Sequence, residues 1–138
     1  MASIDAVRLG LQARLATISG LNAYENWPDT FLGPGAIILP ASPNAADQTL
    51  GESTLQVHTF EILAAVAMAA PFRTIQSQLD GYTSNTGTSS IRAAIVADRT
   101  LGGVAITTYF DAWSEPDDEP INGINHLGQR LMLRVWTA

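Results

Sequence analysis

Two histidines, His58 and His126, and an acidic group, Asp111, Glu115, Asp117, Asp118 and Glu119, are the side chains of this sequence with the most obvious chemical potential. Imidazole and carboxylate together could hold a metal ion. With no cysteine and no second histidine at helical spacing, such a site would need carboxylates and at most these two rings. The plain alternative is a pair of polar side chains carried on strands. Asp117, Asp118 and Glu119 could bind a divalent cation, because hard cations want several oxygen ligands on a bent backbone. Their spacing does not match an EF-hand loop and lacks its distal glutamate, so a solvated hairpin tip is the stronger expectation.

Other reaction chemistries find less support. A hydrolase built on a nucleophile elbow needs Gly-x-Ser-x-Gly, which does not occur. Gly33-Pro34-Gly35 precedes an expected strand rather than a helix, and Gly102-Gly103 has no P-loop lysine, so both read as turns rather than phosphate cradles. The sequence therefore points to no catalytic residue, no metal and no cofactor. Tyr24, Trp27, Phe31, Tyr109, Trp113 and Trp136 fall at expected strand ends, where core packing accounts for most of them. Trp113 and Trp136 are the better interface anchors, because tryptophan is enriched at the centres of buried contacts.

These residues must be positioned by an α+β plan. Ser3 can cap a helix whose Ile4, Val7, Leu11, Leu15 and Ile18 form one apolar stripe, with Gly20 as its stop. Leu21 to Trp27 reads as a strand, and Gly33-Pro34-Gly35 turns the chain into a short buried strand, Ala36 to Leu39, closed by Pro40. Residues 41–53 read as a long polar loop, a candidate for subunit contact through Asp47 and Gln48. From Thr54 to about Ala69, Phe60, Ile62, Ala64, Val66 and Met68 share one face. Leu55 and Val57 lie on the opposite phase, which predicts a bulge near His58 and Thr59. The alanines of Leu63 to Ala70 keep helix as a rival there.

Pro71 opens a helix with Phe72, Ile75, Leu79 and Tyr82 on one stripe, and Ser89 or Thr88 caps a shorter one with Ile91, Ala94 and Ile95 inward. Val104 to Trp113 alternates as a strand, with Val104, Ile106, Thr108 and Phe110 on one side. His126 to Trp136 returns with Leu127, Leu131, Leu133 and Val135 inward, and Asn122-Gly123 favours a hairpin between the two. The expected architecture is one domain over residues 1–138: a mostly antiparallel sheet with helices packed on one face.

The chain has 138 residues, 46% hydrophobic and only 14% charged, enough to bury a core and too apolar for disorder along its length. Thirteen acids oppose seven arginines, Arg8, Arg14, Arg73, Arg92, Arg99, Arg130 and Arg134, for a net charge of −6. The arginines are scattered, which counts against a nucleic-acid reader and against binding to an anionic membrane. No stretch approaches the ~20 apolar residues of a membrane helix, and no signal peptide is evident, so the expected site of synthesis and first residence is the cytoplasm. So few charges on so small a domain also fit a surface partly hidden in an assembly.

The opening helix followed by ISGLNAYENWPD, the GAIILP strand, the polar loop, the long strand, and SSIRAAIVADRTLGG before a closing hairpin form a pattern over nearly all of the chain. It resembles the tail terminator proteins of long-tailed bacteriophages, above all those of phages infecting high-GC actinobacteria. The resemblance implies a structural protein without enzymatic activity that forms a hexameric ring, caps the completed tail tube and stops its polymerisation. Its implied partners are further copies of itself, the major tail tube protein, and a head-closure or connector protein. Genomic DNA would pass through the lumen without specific binding. The place of action would be the head–tail junction of the virion, after assembly in the host cytoplasm.

Size is compatible with this. The scaling for compact chains gives a radius of gyration of ~14 Å, a sphere about 37 Å across, and a closed ring of about six such spheres leaves a hole one sphere wide. Inside such a ring an acidic hairpin could face the lumen and repel phosphate, or lie outside. The resemblance carries over no functional residue by position, so the interface candidates are those of this sequence: Trp113, Trp136, Asp117, Asp118, Glu119, Asp47 and Gln48. The alternatives are another neck component, such as a head-closure or tail-completion protein, and a small ligand- or metal-binding domain using Asp117, Asp118 and His126.

Overall fold

The computed structural model describes residues 3–47 and 55–137. Three helices, α1 (Ile4–Leu15), α2 (Phe72–Thr83) and α3 (Ile91–Val96), accompany six strands, β1 (Asn22–Tyr24), β2 (Gly35–Asp47), β3 (Gln56–Ala67), β4 (Thr107–Trp113), β5 (Asp117–Ile121) and β6 (Ile124–Thr137). The fold is α+β, with the strands in one sheet of order β1-β2-β3-β6-β4 and β5 also paired to β6. Every pairing is antiparallel except the short β1–β2 ladder.

The helices form because their apolar stripes have a sheet to cover. Val7, Leu11 and Leu15 of α1, Ile75, Leu79 and Tyr82 of α2, and Ile91 and Ile95 of α3 are all buried. They pack on Ile38, Phe60, Ile62, Ala64, Leu127, Leu133 and Val135 of one sheet face, making a single large core. Ser3 caps α1 as expected, its Oγ accepting from the Ala6 amide at 3.1 Å. The cap of α3 is Ser90 rather than Ser89 or Thr88. Its buried hydroxyl accepts from the Ala93 amide at 3.0 Å and also donates to the Ser84 carbonyl, so one side chain satisfies both the helix end and the loop before it.

The other face is half covered by the chain itself. Residues 25–34, between β1 and β2, cross it as a strap, and Phe31 packs with Ile37, Leu63, Ala65 and Ile121 in a second, smaller core. This settles the character of the alanine-rich end of β3. Ile62, Ala64 and Val66 face the helices while Leu63 and Ala65 face the strap, so burial on both sides replaces clean alternation and the segment is strand through Ala67. Met68 lies beyond the strand and is 39% exposed.

Several details differ from the sequence reading: α1 ends at Leu15, short of the expected stop at Gly20, and β1 covers only Asn22–Tyr24 of the expected Leu21 to Trp27. β2 does not stop at Pro40 but runs to Asp47, so the expected loop 41–53 is strand over its first half. Past Ile37, β2 has no partner on the β1 side, and at an edge the missing proline amide costs no ladder bond. The expected irregularity near His58 and Thr59 is present but sits in β2. Pairing jumps from Ala41↔Thr59 to Ala46↔Val57, whereas the β3–β6 register is unbroken. β4 starts only at Thr107, because a 3₁₀ turn at Leu101–Gly103 with positive φ at Leu101 and Gly102 delays it; Thr108 and Phe110 face inward as expected, while Ile106 is exposed.

Phe31 is the keystone of the strap. A Cβ placed on Gly35 would stand 2.7 Å from its ring, so the glycine is there for close approach. Truncating Phe31 to Ala is expected to cost about 3 kcal/mol of unfolding free energy. Gly35→Ala is expected to destabilise the native chain but to cost much less in the Phe31→Ala background, because its clash is with the ring; urea denaturation of the two single variants and the double variant checks this coupling.

Candidate functional site

The acidic residues are not a hairpin tip. Asp117, Asp118 and Glu119 lie in β5, paired with Gly128, Leu127 and His126, and the tip is Asn122-Gly123, both with positive φ as a tight two-residue turn demands. The strand extends to the tip because the Asn122 side chain is anchored: its Nδ2 donates to the Pro28 and Asp29 carbonyls of the strap at 3.3 and 2.9 Å. Glu119 is taken up by Arg130, whose Nε and Nη2 reach its two carboxylate oxygens at 3.0 and 3.1 Å, while Nη1 approaches Glu61 at 3.4 Å. The hydrogen bonds to Glu119 hold the guanidinium above its ordinary pKa. Asp117 accepts from the Asp118 amide, and the carboxylates of Glu115, Asp117 and Asp118 are exposed.

The histidines cannot share a site. His58 pairs with Val135 on the helix-covered side of the sheet, whereas His126 pairs with Ala67 on the strap side. His126 is buried, stacked edge-on against Phe31 with centroids 4.9 Å apart, and its Nδ1 lies 2.8 Å from the Ile124 carbonyl. His58 is buried with Nε2 3.2 Å from Thr137 Oγ1, and desolvation pushes its pKa below the ordinary value. Among the described residues no group of three or more metal-binding side chains converges.

The tryptophans are also on opposite faces. Trp113 packs partly buried against the helix-side core, its Nε1 without a hydrogen-bond partner among the described residues. Trp136 lies on the strap side of the sheet, edge-on to Tyr109 at 6.5 Å, in an open groove of about 460 Å³ with Leu55, Ile106, Thr107 and Arg134. Asp47 ends β2 opposite Gln56, and Gln48 lies outside the described residues.

Sequence reasoning did not single out the exposed apolar residues of the strap and the hairpin. Trp27 and Leu32 on the strap are 44% and 63% exposed, Ile124 beside the hairpin tip 58%, and Met68 39%. They gather at one end of the sheet, where the Met68 amide donates to the Asn125 carbonyl and Gly33 lies against Ala67 and His126. Phe72, at the start of α2, is exposed four residues further on. The available signal was apolar residues inside turn-rich segments, where no strand or helix periodicity asks for them.

No family model and no curated protein matches the chain. Among solved structures 17 chains match. One of them is similar over 96% of this chain and 95% of its own length, at 14% identity and a TM-score of 0.47, and this likeness carries no argument about function. Among the described residues no helix is long and apolar enough to cross a membrane.

Two outcomes follow from the site. Arg130→Met would leave Glu119 and Glu61 facing each other without their cation, with an expected loss of about 1–2 kcal/mol in chemical denaturation. Because the folded state resists protonating His58, its contribution to stability is complete above pH 6.5 and declines as pH falls below that value, the unfolded chain taking up the proton first. Melting temperature measured between pH 8 and pH 5 should show this decline, and the part due to His58 should vanish in His58→Gln.

Proposed function

We propose that this chain is a structural tail terminator: a ring-forming protein that caps the tail tube of a long-tailed bacteriophage, ends tube polymerisation and joins the tail to the head connector, with no enzymatic activity. The observation that carries the reading is the exposed apolar end formed by Trp27, Leu32, Met68 and Ile124 on a rigidly anchored strap and hairpin. A preformed apolar end surface can dock on another protein without first paying for the ordering of a loop. The order of elements agrees with that resemblance in part: an opening helix, a short strand, the long strand β3, two helices and a closing hairpin are present, whereas the expected polar loop after GAIILP is strand as far as Asp47. In this reading the chain acts at the head–tail junction, and DNA passes it without base recognition.

The test is to add the purified protein to a polymerising tail tube protein from the same source and to image the products by electron microscopy. Tubes capped at one end and arrested in length are expected. Leu32→Asp and Ile124→Asp should abolish capping with little change in melting temperature, because both side chains already face solvent. Tubes that grow uncapped in the presence of the native chain would overturn the terminator role.

A further inference from the structure

Loop 84–90, α3 and the residues after it form a cleft of about 490 Å³ lined by Asn85, Thr86, Gly87, Arg92, Val96 and Arg99. The guanidinium carbons of Arg92 and Arg99 lie 5.3 and 5.7 Å from the centroid of one ring, Phe110. Among the described residues neither arginine has a carboxylate within 4.0 Å. Asp98, between them in sequence, spends its oxygens on the Thr100 amide and hydroxyl and the Gly102 amide. No acidic residue lines the cleft, although acids outnumber arginines in the chain by thirteen to seven.

Two cations on one ring repel each other, and the aromatic face offsets only part of that. An anion between them would convert the repulsion into attraction. Arg99 is already oriented, its Nη1 donating to the Thr108 carbonyl at 2.6 Å, so little side-chain freedom remains to be lost on binding. The planar guanidinium is matched to carboxylate.

The same chain supplies a complement. Glu115, Asp117 and Asp118 are exposed and have no basic partner among the described residues, while the neighbouring Glu119 is held by Arg130. The cleft and the acidic strand line different pockets with no residue in common, and among the described residues no ion pair joins them within one subunit. We propose that the Arg92–Arg99 cleft is a carboxylate receptor whose occupant is the acidic segment Glu115, Asp117 and Asp118 of a second copy of this chain. The contact is heterologous, so each copy offers both halves and copies join head to tail, closing when the rotation allows. It names the subunit contact of the ring-forming reading and rests on that reading for its place in a closed cap.

The chain contains no cysteine, so introduced ones report on single sites. Val96→Cys, in the cleft, and Pro116→Cys, beside the acidic strand, leave every charge of the contact in place. When the two single variants are mixed at low salt and oxidised, the Val96→Cys/Pro116→Cys heterodimer is expected in excess over both homodimers. Its yield should drop in molar salt, where screening is short-ranged. It should fall roughly fivefold when the cleft chain carries Arg92→Glu and recover when the partner also carries Asp118→Arg.

Arg92 touches the Phe110 ring, so Asp118→Arg alone, on an exposed strand, provides a second variant that leaves the cleft intact. Statistical amounts of the three dimers, or a heterodimer indifferent to salt and to these reversals, would overturn the contact. So would protection of the Val96→Cys thiol by duplex DNA in place of the Pro116→Cys chain. Capped tubes from a protein that gives no heterodimer would keep the terminator reading and remove this contact; heterodimers without capped tubes would do the reverse.

Discussion

β6 is the strand on which the remaining structure is registered. It pairs along one edge with β3 over an unbroken run from Gln56↔Thr137 to Ala67↔His126, and along the other with β4 and then β5. A strand alternates its faces, so this one ladder decides that Leu127, Leu133 and Val135 meet the helices while His126, Arg130 and Trp136 look the other way. A slip of one residue would drive Arg130 and Arg134 into the helix-side core, a cost no domain of this size could absorb. The strap, the Glu119–Arg130–Glu61 ion network and the Trp136 groove all inherit their positions from that register.

Legibility in the sequence followed from how one-sided the burial is. α1 and α2 each bury a single stripe, and the Ser3 cap, Val7, Leu11 and Leu15 of α1 and Ile75, Leu79 and Tyr82 of α2 are plain in the residue spacing, although α1 stops at Leu15 rather than near Gly20 and Phe72 is exposed. Asn122-Gly123 signalled a hairpin, because few dipeptides tolerate positive φ twice in succession, but the strand it joins to β6 is β5 and not the expected Val104 to Trp113. β3 was harder: burial on both faces removes the period that separates strand from helix, and only the partner elements decide. Charge and proline in the acidic segment favour a loop tip, yet the ladder runs as far as Ile121, and Asn122 beside it donates to the distant strap carbonyls of Pro28 and Asp29. The extension of β2 past Pro40 depended on that strand lying at an edge, which no local pattern encodes.

The interface candidates divide in the same way. Glu119 is internal to the subunit, Trp113 leans on its core, and Asp117 and Asp118 remain available to a partner, so neighbours in sequence belong to different surfaces. The exposed apolar end could not be anticipated, because its members come from the strap, the β3–α2 connection and the hairpin and meet only in the folded chain.

The strap carries one more consequence, for the order of events as the chain leaves the ribosome. Its carbonyl anchors are 93 and 94 residues from Asn122, and Ile121 completes the small core around Phe31. The small core around Leu63 and Ala65 therefore stays incomplete until Ile121 and Asn122 have emerged, however early the helices settle on the opposite side. Contacts of such long range close last and leave nascent apolar surface open to aggregation. A chain stopped short of this hairpin would lack Ile121 and Ile124 and both carbonyl anchors of the strap.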